Sequence, residues 1–240
     1  MSSLLCVESV TKRFGGLVAV GYVSFDIAPG ELVGLIGPNG SGKTTLLNIM
    51  SGHLSSDQGT ISLEGEPCTG QKPQRLARRG LMRMFQLTRI FPRMNVLDNL
   101  LVGGRALGLT APEARARADF LLEQLQLTHV RHLDAGQLSG GQMKLLEFGC
   151  CFMRTPRLAL LDEPFAAIHP TMKEIMSTFI RARHAEGQTF VLVSHDMPVI
   201  VELCPRSICM NAGRVLADGK TSDVLAAPAV IEAYLGGAAA

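Results

Sequence analysis

The segment Gly37-Pro-Asn-Gly-Ser-Gly-Lys43-Thr44-Thr45 constrains the chain more than any other. Its spacing is GxxxxGK[ST]; the apolar run Glu31–Ile36 precedes it, and a helix pattern (Leu46, Leu47, Ile49, Met50) follows. That strand–loop–helix context marks a phosphate-binding loop rather than an ordinary glycine turn. Glycines let the backbone curl until successive N–H groups point inward at phosphate oxygens, and the helix N-terminus adds its positive end. Gly37, Pro38, Asn39, Gly40, Ser41, Gly42 and Thr45 are expected to shape the cradle. Lys43 is expected to reach the β- and γ-phosphates, and the Thr44 hydroxyl to ligate Mg2+.

A second apolar run, Arg157-Leu-Ala-Leu-Leu161, ends in Asp162-Glu163-Pro164. Two carboxylates at the C-terminal edge of a buried strand sit where open α/β sheets bind ligands. Asp162 is expected to hold Mg2+, directly or through water, and Glu163 to act as general base toward the water that attacks the γ-phosphate. A third segment, Leu138-Ser139-Gly140-Gly141-Gln142, reads as a capping box opening a helix over Met143–Met153. A capped helix start is also an anion site, so both readings hold together.

Short apolar runs alternate with helix-period segments along the chain, the pattern of an α/β fold with a largely parallel sheet. Leu158–Leu161 and Thr189–Val193 are apolar throughout or nearly so, as buried central strands are. Val23, Phe25 and Ile27 alternate with Ser24 and Asp26, and Ile61 and Leu63 with Ser62 and Glu64. That period of two predicts antiparallel strands near an edge of the fold. Between Val96 and Arg154 there is no strand signal. Ala114, Ala118, Leu121, Leu122 and Leu125 repeat at helical spacing behind Thr110-Ala-Pro, a cap with proline in the first turn, so a helical insertion interrupts the core.

Composition narrows the function classes. With 240 residues, 47% hydrophobic and 18% charged, the chain can bury a core and is not disordered. Its longest apolar runs are strand-length, well short of the ~18–20 residues a spanning helix needs. It is therefore expected not to cross a membrane. The balance of 23 Lys and Arg against 21 Asp and Glu lacks the basic excess of a nucleic-acid binder. Cys6, Cys68, Cys150, Cys151, Cys204 and Cys209 are scattered without a CxxC and read as reduced, packed thiols; no targeting segment is visible, and the expected compartment is the cytosol.

The order of parts is more specific than any one of them: phosphate loop, a lone Gln86 after Met82–Phe85, Leu138–Gln142, Leu160–Pro164, then Ser194-His195-Asp196. In this order the chain resembles the nucleotide-binding subunit of ATP-binding cassette (ABC) transporters over nearly its whole length. The resemblance implies an α/β P-loop NTPase: a RecA-like core with an antiparallel β-subdomain (1–86 and 155–240) and an inserted α-helical subdomain (87–154), together one ABC ATPase domain. It implies ATP and Mg2+ as cofactors and a head-to-tail dimer with a second ABC ATPase subunit, the same chain or a different one. Ser139 and Gly141, with Gly140 and Gln142, would then close over the γ-phosphate bound by the partner. Gln86 would sense Mg2+ and the attacking water, His195 would hold the γ-phosphate, and Phe14 would stack on adenine.

Finer likeness, in Arg13–Val20, Ala77–Gln86 and Val230–Gly236, points to the branched-chain amino-acid importer group. That implies permease subunits as partners, a periplasmic binding protein indirectly, no nucleic acid, and a peripheral place on the inner face of the cell membrane. Lipopolysaccharide-export ATPases share several of these features and are the alternative, followed by a soluble, non-transport ABC ATPase. His169-Pro170 departs from the usual Asp or Asn before proline; it reads either as a helix N-cap or as a change in dimer communication or pairing. Arg75, Arg78, Arg79 and Arg83 read as a solvated basic face, with contact to a transmembrane partner or anionic headgroups as the competing reading. Met82, Met84, Met94 and Met143 are expected to fill core gaps, or to line a docking groove near Gln86.

Overall fold

The computed structural model describes residues 3–86 and 89–236. Its strands are β1 (Leu5–Phe14), β2 (Leu17–Ile27), β3 (Leu32–Ile36), β4 (Gln58–Leu63), β5 (Glu66–Pro67), β6 (Leu81–Met84), β7 (Leu158–Asp162), β8 (Thr189–Val193), β9 (Arg206–Asn211) and β10 (Arg214–Lys220). Its helices are α1 (Lys43–Met50), α2 (Pro73–Arg78), α3 (Val96–Ala106), α4 (Ala111–Gln124), α5 (Gly140–Cys151), α6 (Pro170–Ala185), α7 (Met197–Leu203), α8 (Thr221–Ala226) and α9 (Pro228–Gly236). The larger sheet runs β10-β9-β3-β8-β7-β6, parallel except for the β9–β10 hairpin. The smaller, β2-β1-β4-β5, is antiparallel, as the alternation in β2 and β4 requires.

The central strands are apolar on both faces because both faces are covered. Leu32 and Ile36, Ala159 and Leu161, and Phe190 and Leu192 face one core with the helices of the 96–185 region and α7–α9. Val33 and Leu35, Leu158 and Leu160, and Val191 and Val193 face a second core built with α1 and the antiparallel sheet. Period-two side-chain alternation thus divides one sheet between two interiors.

The helices between β6 and β7 do not pack only on one another. Ala114, Ala118, Leu121 and Leu122 of α4 are fully buried in the first core. Phe148 on α5 and Phe152 just beyond it lie 5.3 and 4.9 Å from Phe179 of α6, and Phe152 lies 6.2 Å from Phe190 of β8. This aromatic cluster welds the helical region to the sheet. The expected caps hold: Thr110 N–H and Oγ1 donate to Glu113 Oε2 at 2.8 and 2.7 Å, and His169 accepts from Thr171 N–H at 3.3 Å ahead of Pro170. Helix α5 starts at Gly140, three residues before the expected Met143, because Ser139 is itself the cap. Met84 and Met143 pack in or against the first core, whereas Met82 and Met94 line two separate surface grooves, so core filling, the first of the two expectations, holds for two of the four. No helix among the described residues is long and apolar enough to cross a membrane.

Candidate nucleotide site

Parallel strands bring their C-terminal ends to one edge, so β3, β7 and β8 deliver the phosphate loop, Asp162–Glu163 and His195 to the same place. Gly37, Gly40 and Gly42 have φ of 141, 75 and 103°. Two of them have no room for a side chain: a Cβ on Gly37 would stand 2.1 Å from the Met210 carbonyl oxygen, and one on Gly42 2.4 Å from that of Ala19. The loop is fixed from outside as well. Gly213 N–H donates to the Ser41 carbonyl at 3.0 Å, and Gly37 N–H donates to Tyr234 Oη, on α9, at 2.7 Å. The first-turn amides of α1 end this curl, with no acidic side chain in that turn to occupy them.

Lys43 is buried and folds back onto its own loop, donating to the Gly37 and Pro38 carbonyls at 2.8 and 2.9 Å and to Ser41 Oγ at 3.3 Å. Burial lowers its pKa, partly offset by the charges of Glu163 and Asp162. Thr44 is exposed at the mouth and Thr45 half-buried behind it. Glu163 holds a left-handed backbone (φ 53°), its N–H donating to the Val193 carbonyl at 3.0 Å. Its Oε2 accepts from His195 N–H at 3.3 Å, while Oε1, 3.4 Å from His195 Nε2, has no hydrogen bond among the described residues. Burial pushes this carboxyl up, His195 pulls it partly back, and the neighbouring Asp162 charge adds to the rise.

These groups line a cavity of about 540 Å3, a volume suited to a small organic ligand. Phe14, half exposed on the end of β1, lines it with Val18 and Ala19, and so does Gln86. The groups beside the loop that could take a metal are oxygens: the Thr44 hydroxyl, the Gln86 amide and the Asp162 carboxylate. Mg2+ fits such a set, since it binds through one or two carboxylates and leaves its other positions to substrate phosphates and water.

Ser139, Gly140, Gly141 and Gln142 lie outside this cavity. Gln142 Oε1 accepts from Ser139 N–H at 3.0 Å and Gln142 N–H donates to Ser139 Oγ at 3.3 Å, so the capping box is formed, with Ser139 and Gly140 exposed. One chain therefore holds a cradle and, elsewhere on its surface, a second anion-attracting helix start.

The basic face requires a correction. Arg75 and Arg78 are exposed, but Arg83 is not part of any solvated surface. Its Nη2 donates to Asp162 Oδ2 at 2.9 Å, with the two side chains only 4% and 3% exposed. Its Nη1 donates to Asn48 Oδ1 at 2.6 Å and Ser51 Oγ at 2.9 Å. The sequence held one signal for this: Arg83 is the charged residue inside the short apolar run Leu81–Met84. Tyr234 carried none, being 197 residues from Gly37. Lys144 and Glu147 of α5 were also missed. Lys144 Nζ donates to the Gln86 carbonyl at 3.0 Å, and Glu147 Oε1 accepts from Arg89 N–H at 3.2 Å.

A strand, glycine loop and helix joined in this way on a parallel sheet place the chain among P-loop nucleoside-triphosphate-binding proteins. Likeness to known proteins narrows the class. The ABC transporter family profile matches residues 20–166. The high-affinity branched-chain amino acid transport ATP-binding protein of Pseudomonas aeruginosa is 35% identical, over 97% of this chain and 98% of its own. A probable branched-chain amino acid transport ATP-binding protein of Archaeoglobus fulgidus is 34% identical over 97% and 95%. The crystal structure of a nucleotide-free ATP-binding cassette from an ABC transporter superposes with a TM-score of 0.87 at 32% identity, covering 97% of this chain and 98% of that one. A cassette in its ADP conformation gives 0.87 and 32%, over 98% and 100%. The chain belongs to the ABC transporter family, and it is an ATPase of the kind that couples hydrolysis to transport.

Proposed function

We propose that this chain hydrolyses ATP to power uptake of branched-chain or related amino acids through separate transmembrane permease subunits, supplied indirectly by a periplasmic binding protein. Glu163 carries the chemical part of the reading: a buried carboxylate with one oxygen unpartnered among the described residues, lining the same cavity as the phosphate loop. The cargo rests on the names of the relatives above, which favour amino-acid import over lipopolysaccharide export or a non-transport role.

In this reading Phe14 stacks on adenine, and the loop from Gly37 to Thr45 cradles the phosphates through the amides its curl leaves free, those of Gly42 to Thr45 among them. Lys43 exchanges its two carbonyls for β- and γ-phosphate oxygens, a charge-assisted contact in place of a charge–dipole one. Glu163 Oε1 takes the proton of the attacking water, and burial raises its proton affinity toward what that task needs. His195 holds the γ-phosphate and Gln86 orients the water. Mg2+, held by Thr44 and Asp162 with Gln86 close by, would neutralise charge on the β- and γ-phosphates.

Each chain supplies part of the constellation. The exposed Ser139–Gln142 cap of a second ABC subunit completes it over the γ-phosphate, as the anion preference of a capped helix start favours. The core, 1–86 and 155–240, carries the chemistry, and the helical subdomain, 87–154, moves with the permease at the inner face of the membrane. The test is Glu163→Gln. It should abolish turnover while retaining ATP and trapping a dimer; full turnover in that variant removes Glu163 from the role of base.

A further inference from the structure

The guanidinium of Arg83 is gripped by groups from two elements that flank the nucleotide cavity. Asn48 of α1 and Ser51 just past its end take Nη1, and Asp162 at the end of β7 takes Nη2. Its Cζ also lies over the Phe85 ring, 4.8 Å from the centroid. Three acceptors on two nitrogens, with the Phe85 ring against the group, fix one orientation of the planar fork, which a lysine ammonium could not reproduce. The carboxylate it holds lines the cavity, as Thr44 and Glu163 do. Only Oδ2 is used: Oδ1 receives no protein hydrogen bond among the described residues.

We propose that Arg83 is a positioning residue for metal binding: it clamps Asp162 from the protein side through Oδ2, keeps Oδ1 turned to the cavity, and so sets how tightly the site takes Mg2+ with its nucleotide. The inference rests on the reading of Asp162 as the magnesium carboxylate. Groups that orient a metal's own ligands typically change its affinity by about 10–100-fold when removed. Two effects of removing Arg83 oppose each other, and the geometry decides between them. Losing a cation near the metal would tighten Mg2+, whereas freeing the carboxylate to rotate would weaken it. Because α1 and Phe85 hold the fork in one orientation, orientation is the larger effect.

The experiment titrates Mg2+ into the full chain with a fluorescent ATP analogue, and repeats nucleotide binding in EDTA, for Arg83→Lys and Arg83→Met. Mn2+ spectroscopy gives a second, activity-free readout. Arg83→Met should raise the Mg2+ half-saturation by roughly tenfold or more, and Arg83→Lys by less, with metal-free nucleotide affinity unchanged. Tighter Mg2+ binding in Arg83→Met, with Arg83→Lys like the parent, overturns the proposal and makes Arg83 a counter-charge only. Lower thermal stability with unchanged Mg2+ dependence also overturns it, leaving a structural role. Should both variants fail to fold, the double change Asn48→Ala with Ser51→Ala loosens the fork and leaves the Arg83–Asp162 pair in place. It should shift Mg2+ in the same direction by less, and no shift overturns the proposal. If the parent chain binds no nucleotide with or without metal, the assignment of the site itself fails, and this inference with it.

Discussion

Replacing Tyr234 by Phe deletes one oxygen and keeps the ring, which isolates the hydrogen bond that ties the C-terminal helix to the phosphate loop. The hydroxyl accepts from Gly37 N–H at 2.7 Å, and Gly37 is buried, so the variant leaves a buried amide without its partner. Such a group costs about 1–3 kcal/mol. In a chain of this size 1 kcal/mol moves the melting temperature by roughly 2–4 °C, so a drop of about 2–12 °C is the ceiling if the loop keeps its shape. If the loop instead relaxes to bring Gly37 N–H to water, part of the cost moves into nucleotide binding, at about 1.4 kcal/mol for each tenfold loss. Burial pushes the phenol up to about 12, so it stays protonated through the neutral range and the effect should not depend on pH there. Thermal melts and titration with a fluorescent ATP analogue separate the two shares. A variant unchanged in both would refute the idea that the hydroxyl supports the loop.

Two further changes probe other parts of the site. Phe14→Ala should weaken nucleotide binding by on the order of 1–3 kcal/mol, the worth of a base–aromatic stack, and leave the melting temperature nearly unchanged because the ring is half exposed; equal affinity in the same titration would remove the ring from adenine contact. Glu147 is buried, and burial raises its pKa, so its charge destabilises the folded state at neutral pH and no longer does so below the unfolded value, about pH 4. Glu147→Gln should therefore be more stable than the parent at neutral pH, by a margin that shrinks toward pH 4; a pH-independent difference in melting temperature would contradict that sign.

The features legible in the sequence are those whose chemistry is written in neighbouring residues. Gly37–Thr45, the box Ser139–Gln142 and the cap His169-Pro170 each need a few positions at fixed spacing, and each formed where expected. Strands β3, β7 and β8 were legible because both faces are buried, which leaves an unbroken apolar run. Strand β6 was harder to see: it is four residues long, and its third residue is an arginine whose reason lies on β7 and α1. The contacts of Tyr234 with Gly37 and of Lys144 with Gln86 span 197 and 58 residues, and no local pattern encodes a contact at that separation.

One arrangement links the legible part to the rest. The charged groups that line the cavity each have a partner within this chain: Lys43 donates to loop carbonyls, Asp162 pairs with Arg83, and Glu163 Oε2 accepts from His195 N–H. Buried charges left unpaired would cost several kcal/mol each, so a cavity that concentrates them must supply internal partners. These partners differ in what they release. Carbonyls are weak competitors for an ammonium, so Lys43 can be recruited by phosphate. His195, exposed and poorly aligned on Oε1, can turn toward a phosphate and leave that oxygen to a water. The Arg83 clamp is the exception, held on three sides and fixed. The site thus combines two groups that can change partner with one carboxylate that cannot, and on the function proposed above that division suits phosphoryl transfer to water: Lys43 and His195 would follow the charge of the transferring phosphate while Asp162 would stay fixed for the metal.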